Sequence, residues 1–317
     1  MTKKIEIELS YLCQKIGARI PVWTQGAGGN ISIKEDKNTL WIKATGFRLD
    51  RVTENTGIAH VDYKTMAQVL KSESWKESEA EENYAKLIKE TTLLGDGLGR
   101  ASMETGFHAL LPKKYVLHFH SLASLLFYHE FNMDRTRVIG WLKNNTQRET
   151  IFVEACRPGW VLSKQIKGDA GIYFLESHGI ILHGDDDSII TEWESLEKEF
   201  CKDFNYSGLY SLLTEIPNFD KLFQLFAANP MPFRCFFPDV AVFSERLDRV
   251  LQPTASGEVF FPVSSISKDK DMAELWLATA ILYRLSPNFQ EVPKEIRAVI
   301  RDLPTEKLRQ QRELPHG

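Results

Sequence analysis

The chain of 317 residues has no run of about 18 apolar residues, so a membrane-spanning helix is not expected. The opening stretch MTKKIEIELSYLCQKIGARI is broken by charges and has no apolar h-region. Neither a secretory leader nor an anchor is expected from it. Cysteine is scarce: Cys13, Cys156, Cys201 and Cys235 lie far apart, and no CxxC pair occurs. That argues against a zinc ribbon or a thioredoxin-type site and reads as reduced thiols in a cytoplasmic protein. A basic excess is also missing, with a net charge of −4 and a pI of about 6.1, so no nucleic-acid partner is expected. Nor is there a dinucleotide fingerprint. The turn GAGGN at 26–30 lacks the GxGxxG spacing and precedes a strand, and no strand leads into GDGLGR at 95–100. Internal repeats and low-complexity linkers are absent as well.

What is there is ordinary globular material, 43% hydrophobic and 26% charged, enough to build a core. Residues 4–20 have Ile5, Leu9, Leu12 and Ile16 at helical spacing. A glycine-rich turn then leads into a strand, and LWIKATG (40–46) reads as the next. Loop and strand are expected over 53–65. The acidic segment 73–92 reads as a solvated helix or an inserted lobe. Residues 102–111 form a helix ending near Pro112, followed by the strand VLHFH and a buried helix SLASLLFY. IFVEA (151–155) and GIYFLESHGIILHG (171–184) read as strands, and 187–215 as one long helix with Trp193, Leu196 and Phe200 on one side. Strands and helices mixed in this way mean α/β or α+β. Beyond about 217 the texture turns aromatic and proline-punctuated, with a further helix at 271–286 and a charged end that is helical or frayed. This divides the chain into a unit over 1–216 and an extension over 217–317 packed on it.

Chemistry concentrates in few places. In a strand, His118 and His120 share one face, a geometry that suits two ligands on one metal ion. Taken alone, an HxH pair reads first as two core histidines with ordinary hydrogen bonds, because only a fuller ligand set is specific. Of the eight histidines, His60, His129, His183 and His316 have no ligand-like neighbour in sequence. His178 differs: it stands at the turn between two strands, with Gly179 behind it. Glu104 stands near a helix start, where a carboxylate is a capping group, a metal ligand or a proton carrier. His108 would share its face, either to orient it or simply to pack. The turn at 25–30 exposes backbone N–H groups suited to an anion, but a purely structural turn is the better reading of it alone.

In order, Gly28-Gly29-Asn30-Ile31-Ser32, Lys43-Ala44-Thr45-Gly46, Ser102-Met103-Glu104, His118-Phe119-His120 and His178-Gly179 resemble the class II aldolase/adducin family over roughly 5–205. METGFHALLPKKYVLHFHS, LWIKATG and the later FFPDVAVF look similar to the aldolase half of bifunctional rhamnulose-1-phosphate aldolase/alcohol dehydrogenases. No nicotinamide site is read in these residues, so a dehydrogenase half is not expected among them. The resemblance implies a three-layer α/β/α sandwich around a mostly antiparallel sheet. It implies one divalent metal, commonly Zn2+, on His118, His120 and His178, with Glu104 as the catalytic residue. Gly29, Asn30, Thr45, Gly46 and Ser102 would bind a phosphate or other anion of the substrate. Met103 departs from the second serine common in sugar-phosphate aldolases, and Ala44-Thr45-Gly46 departs from the usual S/T-G. The implied activity is retro-aldol cleavage of a ketose or ketose phosphate to a dihydroxyacetone-type fragment and an aldehyde. A metal Lewis acid would stabilise the enediolate and Glu104 would move the proton. Epimerases and dehydratases share the scaffold. Non-catalytic adducin-like interaction domains share it too, but they tend to lose the histidines retained here. The implied partners are a small sugar or sugar phosphate and further copies of the chain, as a tetramer in many members.

Overall fold

The computed structural model describes residues 2–303, apart from 94, 96, 97, 215–217 and 290. The strands are β1 (Asn30–Lys34), β2 (Thr39–Lys43), β3 (Ile58–Asp62), β4 (Thr92–Leu93), β5 (Tyr115–Phe119), β6 (Thr150–Val153), β7 (Ile172–Leu175) and β8 (Gly179–Gly184). They form one sheet in the order β4-β3-β2-β1-β5-β8-β7-β6, with only β6 and β7 parallel. β5 therefore lies in the middle of the sheet. His118 sits opposite Asn30 of β1 on one side and Ile181 of β8 on the other.

Alternation along each strand sends apolar side chains to both faces, so both must be covered. Leu117 and Phe119 of β5, Ile31 and Ile33 of β1, and Ile180 and Leu182 of β8 join one core cluster with the helices Thr2–Gly17, Leu122–Glu130 and Ser188–Asp203. Val116, Tyr173 and Ile181 face the other way, into a cluster with Phe107 and Leu162. A third cluster lies beside it under the helices Tyr63–Ser72 and Glu77–Thr91. The result is a three-layer α/β/α arrangement with a mostly antiparallel sheet, as the resemblance implied.

Several elements differ in extent from the sequence expectation. The acidic segment forms the helix Glu77–Thr91 and no separate lobe; its Ala80, Tyr84, Leu87 and Ile88 make a buried stripe on an otherwise solvated helix. The helix expected over 187–215 is broken into Ser188–Asp203 and Ser207–Thr214. The break falls at Asn205, which takes φ 59°, and the Tyr206 N–H closes the end by donating to the Cys201 carbonyl at 2.8 Å. The first helix runs Thr2–Gly17, and the one expected over 102–111 runs Thr105–Leu110. The helix at 271–286 runs Lys270–Leu285, and its Trp276, Leu277 and Ile281 enter the same cluster as Leu122 and Leu126. The boundary at 216/217 and the charged end from 304 lie outside the described residues.

Candidate active site

β5 delivers the histidine pair at its end, where the chain leaves the sheet. The His120 N–H donates to the Trp23 carbonyl at 3.1 Å. Ser121 then caps the next helix, accepting from the Ser124 N–H at 3.2 Å. The turn from β7 to β8 brings in His178. Ser177 takes φ 53° there, and Gly179 takes φ 145°. A Cβ at Gly179 would stand 2.4 Å from the Phe119 carbonyl oxygen. Only glycine lets this turn press against the end of β5, and that contact carries His178 to the histidine pair.

Glu104 comes from the opposite layer. It precedes the helix Thr105–Leu110, and two side chains shape its turn. Ser102 Oγ accepts from the Glu104 N–H at 3.2 Å. The Tyr84 hydroxyl donates to the Met103 carbonyl at 2.7 Å and accepts from the Gly106 N–H at 2.9 Å. Helix and turn direct the carboxylate at the histidines.

The result is a convergence of nitrogens. His118 and His120 approach Nε2 to Nε2 at 3.2 Å, and the ring centroids of the three histidines are 4.9–5.0 Å apart. Glu104 Oε1 lies 3.3 Å from His118 Nε2 and 3.6 Å from His178 Nε2. All three histidines are buried, and their ligand atoms fall within 4.8 Å of one another. His118 donates Nδ1–H to the Ile180 carbonyl at 2.8 Å, which orients the ring with Nε2 aimed inward at Glu104. Two nitrogens bound tetrahedrally to one zinc at ordinary bond lengths stand about 3.4 Å apart, close to the spacing found here. The residues fit a divalent metal.

The three rings do not respond alike: burial pulls His118 down, but the charge of Glu104 and the hydrogen bond to it outweigh burial and raise it. Burial and then repulsion from His118 and His120 push His178 down to about 3, so its ring is neutral at ordinary pH. Burial alone would raise Glu104, but His118, His178 and His120 outweigh it and hold the carboxyl far below the usual carboxylate range. His108 serves elsewhere. It bonds Ser32 through Nδ1 at 2.7 Å, and burial holds it well below its ordinary value.

Gly29, Thr45, Gly46, Ser102, Glu104, His120 and His178 line one cavity of about 40 Å³. His118 is not among the lining residues and meets His120 at Nε2. Asn30 is not among the lining residues; it neighbours His118 in the sheet, and its buried Oδ1 meets no donor among the described residues. Two charged lining residues escaped sequence reasoning. Lys43 is buried, and its ammonium donates to the Ala27 carbonyl at 3.0 Å and the Phe47 carbonyl at 2.8 Å, tying the two loops of the cavity together. Asp239 is buried with Oδ2 2.5 Å from His120 Nδ1. An acid inside the apolar FFPDVAVF is the signal that could have marked it.

Residues 8–189 match the family described as Class II Aldolase and Adducin N-terminal domain. No curated protein matches the chain. Among solved structures it is similar to the N-terminal class II aldolase domain of a conserved protein from Thermoplasma acidophilum, at 20% identity and TM-score 0.49, covering 62% of this chain and 92% of that one. It is similar to an aldolase II superfamily protein from Pseudomonas syringae at 14% identity and TM-score 0.45, covering 90% and 95%. It is also similar to L-fuculose-1-phosphate aldolase from Thermus thermophilus at 14% identity and TM-score 0.39, covering 65% and 98%.

Proposed function

The chain belongs to the class II aldolase and adducin N-terminal domain family, and from that membership we propose that it is a metal-dependent aldolase cleaving a ketose or ketose phosphate to a dihydroxyacetone-type fragment and an aldehyde. One observation carries the reading: three buried histidines and the Glu104 carboxylate converge beside one cavity. Class II aldolases are metal-dependent, and His118, His120 and His178 would hold the ion, most simply Zn2+ given an all-nitrogen donor set. When bound, it supplies Lewis-acid stabilisation of the negative charge that carbon–carbon cleavage develops. This chain's own residues do the rest. Glu104 is held ionised and beside the metal face, ready to take or return a proton at the carbon of the breaking bond. The backbone of Gly29, the Thr45 and Gly46 turn and Ser102 bind and orient the anionic end of the substrate. A cavity of about 40 Å³ holds on the order of three waters.

The finer parts of the reading are proposals of the same kind. Within the family we read the chain as similar to the aldolase half of bifunctional rhamnulose-1-phosphate aldolase/alcohol dehydrogenases. Residues 1–216 form the catalytic unit and 217–317 an extension packed on it. The working state is a cytoplasmic homo-oligomer, tetrameric as in many relatives.

The test is metal analysis of the purified protein together with a screen of ketose phosphates for aldehyde release. About one divalent ion per chain is expected, lost in His118→Ala, with an aldehyde product that disappears on chelation. An inverted sugar with no aldehyde would make the protein an epimerase on this scaffold. Neither bound metal nor turnover after metal is added would sink the enzyme reading.

A further inference from the structure

Asp239 occupies the second residue of the helix Pro238–Val242, with Phe236, Phe237 and Val240 buried around it. Removing a carboxylate from water into such a setting costs several kcal/mol unless a partner compensates. Its ion-pair partner is a ring nitrogen of His120, 2.5 Å away, in a contact that lies outside hydrogen-bond geometry in this conformation. It is Nδ1, the atom opposite the Nε2 that meets His118. The two carboxylates of the site thus have separate places: Glu104 on the Nε2 side of the histidines, Asp239 behind His120. Gly28 closes the pair off, since a Cβ there would stand 3.1 Å from Asp239 Oδ2 and 3.2 Å from His120 Nδ1. His118 has a neutral carbonyl, that of Ile180, in the equivalent place.

Resting on the metal-centre reading above, we propose that Asp239 is a positioning residue. It holds His120 in the Nδ1–H tautomer and aims Nε2 at the ion. A carboxylate behind a ligating imidazole restricts ring rotation and raises ligand basicity, and losing it typically weakens metal binding about 10–100-fold. The donor comes from the main fold and its support from the C-terminal segment, so the grip on the metal depends on that segment being docked.

The experiment measures Co2+ binding by the full chain, stripped of metal, by chelator competition and by the visible absorption bands that report the ligand field. Asp239→Asn should weaken Co2+ about 10–100-fold and shift the bands. Asp239→Glu, which keeps the charge, should recover most of the loss. An Asn variant that is folded by circular dichroism and has the parent's affinity and spectrum would overturn the proposal, as would a Glu variant no better than Asn. If the variants do not fold, long-range 1H–15N spectra of the parent decide. A His120 resonance of the Nδ1–H tautomer is expected in the metal-free protein, and the Nε2–H tautomer overturns the assignment. A parent that takes up no Co2+ removes the metal-centre reading itself, whereas a binding parent with unaffected variants removes only the role of Asp239.

Discussion

At the scale of single residues, the site turns on which atoms of Glu104 and the histidines are free to act. The three imidazoles converge on one point, and Glu104 Oε1 stands 3.3 Å from His118 Nε2. It is close enough to exchange a proton with a substrate held at the same point, and the metal keeps three nitrogen donors without it. Glu104→Gln preserves size and shape and removes only the ability to take a proton. The expected outcome is a folded protein with its metal content unchanged and turnover reduced about 10²–10⁴-fold, read by metal analysis and kcat. Full activity in that variant would move the acid/base role to another group.

At the scale of elements, the precision of the site comes partly from a helix outside it. Glu197, on Ser188–Asp203, is fully buried and accepts from the Trp23 indole N–H at 2.5 Å and from the Ser121 hydroxyl. Both donors adjoin His120, one in sequence and one through the backbone bond from His120 to Trp23. Burial, outweighing these hydrogen bonds, pushes the Glu197 carboxyl up to about 7 from its ordinary 4.5. With the folded value above the unfolded one, the unfolded chain releases this proton first. The contribution of this one group to stability is therefore full below about 4.5, falls as pH rises towards 7, and levels off above that, by about 3 kcal/mol at the limit. The difference in unfolding free energy between the parent and Glu197→Gln, followed across that window by denaturant titration, should change by that amount and in that direction, and a pH-independent difference would overturn it. Such elements also show what was legible in advance. HxH in a strand and SHG at a turn are local patterns, because strand period and glycine chemistry act over a few residues, and both were readable. Glu104 was readable as a helix-start acid. Asp239 was marked only as an acid in an apolar run, and nothing near it or Lys43 in sequence says what they face. The break at Asn205 was missed because the apolar pattern continues across it and only the backbone conformation of one residue ends the helix.

At the scale of the whole molecule, the C-terminal segment is joined to the site by charge as well as by apolar packing. Glu274, on the helix Lys270–Leu285, is fully buried. One of its oxygens accepts from the Gly26 N–H at 2.8 Å and from Arg48 at 2.9 Å, and the other from Arg48 at 2.9 Å. Arg48 is also paired with Asp50 and Asp271. One carboxylate from the far end of the chain thus fixes both the glycine-rich turn before β1 and the loop that follows Gly46. These two stretches flank the proposed anion pocket, so its shape depends on the docked helix. Removing one partner of a buried pair leaves the other uncompensated, at about 3–5 kcal/mol, whereas replacing both with apolar groups of similar volume is often neutral. Glu274→Ala should lower the unfolding free energy by that amount with the denaturant slope unchanged, and should raise KM for a phosphorylated substrate more than it lowers kcat. The double variant Arg48→Met with Glu274→Leu should regain stability but not KM. Recovery of both would mean that the ion pair serves folding alone, and loss of neither in Glu274→Ala would mean that the turn at 26–29 holds its shape without the C-terminal helix.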